Sequence, residues 1–124
     1  MDKEKTKLKI KDALVRKEKN RLLKLFADIP DNKKKAVDGL IIQAARLRVM
    51  LDEAWEDICE NGDYELFAQS KDQTPYERER PVAKLFNARD TAYHRVVREL
   101  AGYLPSEKRA EAVSAASRDG SDLV

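Results

Sequence analysis

Between residues 33 and 60, Val37, Leu40, Ile41, Ala44, Leu47, Leu51, Ala54, Trp55 and Ile58 recur at spacings of three and four. That period places them on one face of a single helix. Arg46, Arg48, Asp52, Glu56 and Asp57 take the solvated face, and Asn61-Gly62 supplies a stop. At ~1.5 Å per residue such a helix is roughly 40 Å long. A stripe of that length needs an equally long apolar surface to cover it, so the rest of the chain must supply one or a second subunit must.

A second periodic run meets the need. Val82, Leu85, Phe86, Ala92, Tyr93, Val96, Leu100 and Leu104, with the stem of Arg89, predict a helix over about 81–103. Ala101-Gly102-Tyr103-Leu104-Pro105 ends it, and Ser106 is placed to cap a short alanine-rich helix, SEKRAEAVSAAS. Two long amphipathic helices joined by about twenty residues read as an antiparallel hairpin. In the connection, Thr74, Pro75 and Glu77 have the form of a capping box. Pro81 then either begins a new helix or kinks a continuous one. Tyr64, Leu66, Phe67 and Tyr76 are expected to plug the open end of the hairpin. No convincing period-two strand is present, and the expected fold class is all-α.

The flanks are polar. Residues 1–24 carry ten Lys/Arg against four Asp/Glu, about +6, while the remaining residues sum to about −4. The early part, KEKTKLKIKD, is charged enough to stay disordered without a partner. RKEKNRLLKLFADI reads better as helix, interrupted by Pro30, with Asp31 and Asn32 as N-caps for the first long helix. The organisation is therefore a basic, partly helical arm over 1–30, a central helical hairpin and oligomerisation domain over 31–105, and a short helix with a frayed tail over 106–124. Charged residues make up 39% of the chain, which suits narrow apolar stripes completed in part by other subunits.

The residues offer little chemistry. One cysteine excludes an internal disulfide and fits a reducing compartment. No apolar run approaches the ~20 residues of a membrane span, and no signal-peptide core follows the N-terminus. There is no Gly-rich phosphate loop. Cys59 reads as a packing residue and His94 as a partly buried interhelical or interface residue. Asp52, Glu53, Glu56, Asp57 and Glu60 read as solvated surface or as partners for the basic arm, although the i,i+4 pairs among them also match the spacing of a metal site. No catalytic residue, metal or cofactor is expected.

Positive charge is the feature that points outward. Lys3, Lys5, Lys7, Lys9 and Lys11 alternate, which spreads them around a helix rather than along one reading face. They suit phosphate contacts, which require charge more than geometry. Arg16, Lys17, Lys19, Arg21 and Lys24 form a second cluster and Lys33, Lys34 and Lys35 a third. The third opposes its own helix dipole, which favours anions at that end. Solvated surface explains such clusters equally well. Candidates for an oligomer seam, or equally for the monomer core, are Leu40, Leu47, Leu51, Trp55, Leu85, Phe86, Arg89, Tyr93, Val96 and Leu100.

Over roughly 21–110 this organisation resembles the small subunit of a tailed-phage terminase, in the P27-like group. The resemblance rests on a long helix ending in LDEAWEDICENG, then a polar segment, then RPVAKLFNARDTAYHRVVRELAGYLPSEKR. Arg80-Pro81-Val82-Ala83 opens the second long helix as in that family, and Leu100 to Ser106 supplies its apolar patch and Pro-Ser segment. The resemblance implies a noncatalytic packaging factor that assembles into a cyclic homo-oligomer through its central helices. It would bind double-stranded viral DNA and hand it to, or regulate, the large ATPase–nuclease subunit in the cytoplasm of the bacterial host. Residues 1–32 are too short for the helix-turn-helix domain of other small subunits, so DNA contact would fall to an arm or a composite rim. The competing readings are a dimeric DNA-binding regulator and a noncatalytic helical protein-interaction adaptor.

Overall fold

The computed structural model describes residues 2–117. It contains four helices, α1 (Asp2–Leu25), α2 (Asp31–Asn61), α3 (Pro81–Ala101) and α4 (Ser106–Ser117), and a two-stranded hairpin of β1 (Tyr64–Phe67) and β2 (Tyr76–Glu79) between α2 and α3. The predicted long helices therefore form, within one or two residues of their expected ends. α2 is ~46 Å long and α1 ~36 Å.

α1 and α2 run antiparallel, with Lys11 facing Glu53 near one end and Lys19 facing Asp38 near the other. α3 runs antiparallel to α2 on another side: Asp57 pairs with Arg80, Trp55 lies against Phe86, and the Arg48 guanidinium covers the Tyr93 ring. α4 closes one end of this arrangement. Its small Ala112 and Ala116 let it approach closely and are buried. The core combines Leu22, Phe26 and Ile29 with Val37, Ile41, Ala44 and Leu51 of α2, Tyr93, Val97 and Leu100 of α3, and the two alanines.

The N-terminal segment differs from expectation. It is one continuous helix rather than a disordered charge run followed by a helix. Its second half is core: Leu22 is 0% exposed. Burial of Val15, Leu22, Leu25 and Phe26 against α2 and α4 supplies the packing that a short isolated helix lacks in water. The helix breaks where Pro30 restricts Ile29 and cannot donate a hydrogen bond. Pro30, extended at φ −55° and ψ 144°, is the N-cap of α2, and no side chain caps that end. Asp31 is thus the first residue of α2 rather than its cap, and there it stands at the positive end of the helix dipole. Ser106 likewise begins α4 rather than preceding it.

The connection between α2 and α3 is the main correction to an all-helical reading. Gly62 ends α2 at φ 82°, its N–H bonded to Ile58 O at 2.8 Å; this is the left-handed conformation that a side chain disfavours. Tyr64 then pairs opposite Glu79, Glu65 opposite Arg78, Leu66 opposite Glu77 and Phe67 opposite Tyr76. No helix starts at Thr74-Pro75. Pro81 holds Arg80 extended at φ −68° and ψ 145°, which would leave only a handful of residues for a helix, too few to repay nucleation. Pairing satisfies the same backbone groups, and Arg80 N–H to Asp63 O at 2.7 Å extends it. Pro81 begins α3, as one of the two sequence alternatives has it. The aromatics do not plug the bundle. Tyr64, Leu66 and Tyr76 are exposed, and Phe67 is half-buried beneath the Arg78 guanidinium, 3.4 Å from its ring centroid.

Candidate nucleic-acid interface

Thirteen cations were singled out by sequence, and the fold divides them. Lys11 is paired with Glu53 at 3.3 Å, Lys19 with Asp38 at 4.0 Å and Lys34 with Asp31 at 3.0 Å. Arg21 has a structural task. Its Nε donates to Glu18 at 3.0 Å, while Nη1 and Nη2 donate to the carbonyls of Ala115 and Ala116, each at 3.2 Å. It thus ties α1 to the last turn of α4, where unpaired carbonyls and the dipole both favour a cation. The Glu18 hydrogen bond holds the Arg21 pKa above its ordinary value, against the opposing effect of partial burial.

Lys3, Lys5, Lys7, Lys9, Arg16, Lys17, Lys24, Lys33 and Lys35 are exposed and form no ion pair among the described residues. The packed strip of α1 runs through Val15, Leu22 and Phe26. At ~100° per residue, Lys5, Lys9 and Arg16 line up about a quarter-turn to one side of that strip, and Lys17 and Lys24 lie further round the helix, where their side chains line the groove between α1 and α2. The turn at Phe26–Pro30 brings the start of α2, with Lys33 and Lys35, to the same end as Lys24. Lys3 falls near the Lys17/Lys24 row, whereas Lys7 and Lys11 turn toward α2, where Lys11 meets Glu53.

The negative charge is distributed unevenly too. From Glu56 to Glu79 the chain carries eight acidic residues and two basic ones. Because α1 is antiparallel to α2, its N-terminal end lies beside this acidic end, as the Lys11–Glu53 pair shows. The positive field is therefore partly cancelled around residues 3–11 and least opposed around Arg16, Lys17, Lys24, Lys33 and Lys35.

The acidic run Asp52 to Glu60 is largely engaged within the fold. Asp52 accepts from Arg48 at 2.9 Å, and Glu53 pairs with Lys11. Asp57 accepts from Asn61 at 2.7 Å and from Arg80 at 3.1 Å, and these two hydrogen bonds, Asn61 first, lower its pKa. Among the described residues no group of three His, Cys, Asp or Glu side chains is placed to hold a metal. Cys59 is exposed rather than packed. His94 is half-exposed, 3.5 Å from Asp90 one turn away on α3.

Of the seam candidates, Leu47, Leu51, Tyr93, Val96 and Leu100 are buried within the single chain, and Leu40 and Phe86 pack against the core. Arg89 is half-buried with no ion pair among the described residues. Leu85 is exposed and Trp55 is 54% exposed, so neither belongs to the core. Both continue the helical period, but Trp55 is covered only on the side where Phe86 of α3 lies against it. Trp55 lies in a groove of about 830 Å³ beside α1, with Leu14, Val49, Lys17, Arg21, Lys24, Asp52 and Glu56 among its lining residues. Sequence periodicity offered Trp55 for an oligomer seam or for the core and carried no sign of this groove. No described helix is long and apolar enough to cross a membrane. Comparison with protein families, with curated proteins and with solved structures found no match for this chain.

Proposed function

We propose that this chain is a noncatalytic DNA-binding assembly protein that works as a terminase small subunit does. It binds the phosphate backbone of double-stranded viral DNA, assembles into a cyclic homo-oligomer and passes the DNA to a large ATPase–nuclease subunit in the bacterial cytoplasm. The observation carrying the DNA part is the row of exposed, unpaired cations on α1 and the start of α2, held in fixed spacing because Leu22 and Phe26 anchor that helix in the core. The packaging part rests on the resemblance at 51–62 and 80–109. Phosphate contacts from such a row are sequence-independent and weak singly. Repetition around an oligomer would add them through effective concentration.

The deciding measurement is binding of the full-length protein to duplex DNA as salt is varied. Each phosphate contact contributes about −0.9 to the slope of log K against log salt. The charge reversals Arg16→Glu, Lys33→Glu and Lys35→Glu together should flatten that slope by roughly 2–3 and weaken binding. Lys3→Glu with Lys7→Glu should change it less, because those positions lie nearest the acidic end. Absence of binding at low salt overturns the DNA reading and leaves the protein-interaction adaptor. Binding by a simple two-fold dimer of fixed mass replaces the ring with the dimeric regulator.

A further inference from the structure

The β-hairpin has one face that the described residues leave uncovered. In the antiparallel register Tyr64 and Leu66 lie opposite Glu79 and Glu77, so all four side chains share that face. All four are exposed, Tyr64 at 56% and Leu66 at 73%. The opposite face is internally satisfied: Arg78 Nε donates to Glu65 at 2.8 Å and its guanidinium covers Phe67, which in turn meets Tyr76 edge-on. A two-stranded hairpin is marginal by itself, and an apolar pair flanked by two carboxylates calls for an apolar, basic counterpart.

The chain carries that counterpart. The groove between α1 and α2 has Leu14, Val49 and Trp55 as its apolar surface and Lys17 and Lys24 on its α1 rim. Its α2 rim is acidic, but Asp52 is neutralised by Arg48 and Glu53 by Lys11, and Glu18 by Arg21 on α1, which leaves Lys17, Lys24 and Glu56 as its lining charges without an ion pair among the described residues. The hairpin of the same chain leaves this groove open, since Trp55, Tyr64 and Leu66 are all exposed together.

We infer that the Tyr64/Leu66/Glu77/Glu79 face of the hairpin docks in the α1–α2 groove of a second copy of this chain, with Leu66 against Leu14 and Trp55 and the two glutamates toward Lys17 and Lys24. The contact joins two different surfaces, so a pair of copies keeps one free hairpin and one free groove and association continues head to tail. This inference rests on the oligomeric part of the function proposed above; it engages Lys17 and Lys24 in the contact and leaves Arg16, Lys33 and Lys35 to the DNA part, so the two are tested by different substitutions.

The test uses the full chain without DNA, with mass by light scattering and sedimentation over a range of concentrations, and the emission of Trp55, the single tryptophan. Wild type should associate, with the emission shifting to shorter wavelength as Trp55 is covered. Leu66→Asp should weaken association at least tenfold with an unchanged far-ultraviolet dichroism spectrum. Glu77→Lys with Glu79→Lys should do the same, as should Lys17→Glu with Lys24→Glu. Mixing those two charge-reversed proteins should restore assembly, because the lysine-bearing hairpin of one meets the glutamate-bearing groove of the other. A wild-type monomer at every concentration, unimpaired assembly of the Leu66→Asp protein, or a mixture that stays dissociated overturns the inference. Loss of DNA binding with assembly intact overturns only the DNA reading.

Discussion

Replacing Leu22 with alanine tests whether the basic N-terminal segment belongs to the fold. The Leu22 side chain is 0% exposed and packs in the cluster that joins α1, α2, α3 and α4. Truncating a fully buried leucine costs the transfer free energy of the lost groups plus a cavity term, about 3 kcal/mol in a core that relaxes partially. A domain of this size has a total stability on the order of 10 kcal/mol, so the variant should still fold at 25 °C. Its thermal midpoint should fall by roughly 10 °C. The internal control is Leu8→Ala on the same helix. Leu8 is 62% exposed, and its loss should change stability by less than about 0.5 kcal/mol. Equilibrium urea unfolding of both variants gives the two values, provided the denaturant slopes match wild type. A Leu22→Ala loss below about 1 kcal/mol, or equal losses for the two, would refute the packed position of α1.

Three further outcomes follow from named contacts. Tyr93→Phe removes the hydroxyl that donates to Ala116 O at 2.6 Å and should cost about 1 kcal/mol, with faster amide exchange in α4 than in α2. Burial raises the Tyr93 pKa, so the fold favours the neutral phenol; that stability is complete below the ordinary value near ~10 and is lost as pH rises through the higher folded value. Melting between pH 9 and 11 should thus fall more steeply for wild type than for Tyr93→Phe, after allowance for Lys108, whose pKa is also raised, chiefly by its hydrogen bond to Asp28. Gly62→Ala forces a side chain into the left-handed region at φ 82° and should destabilise by about 1 kcal/mol, read by urea unfolding. Deleting residues 2–11 should leave the thermal midpoint within a few degrees, whereas deletion through 24 also removes Leu22 and Arg21 and should abolish cooperative melting.

The long helices were legible because their apolar residues keep a helical period over many turns, and Gly62 and Pro81 mark their ends without reference to any neighbour. The hairpin was not legible. Tyr64–Phe67 and Tyr76–Glu79 are four residues each, too short for a period to register, and each becomes a strand only by pairing with the other across an eight-residue loop. Trp55 and Leu85 show the same limit in reverse, since periodicity says which face a residue is on but not how completely its neighbours cover it. Among the candidate cations, net charge came from the sequence alone. Which of them are spent was decided by tertiary contacts: Lys11 with Glu53, Lys19 with Asp38, and Arg21 with the end of α4. Sequence by itself determined α2, α3 and α4 and the unequal distribution of charge along the chain, because these are local properties. Only the tertiary structure decided that the basic segment is part of the core, that its N-terminal end lies beside the acidic end, and that a groove and a hairpin face remain uncovered, because each depends on which distant segments pack together.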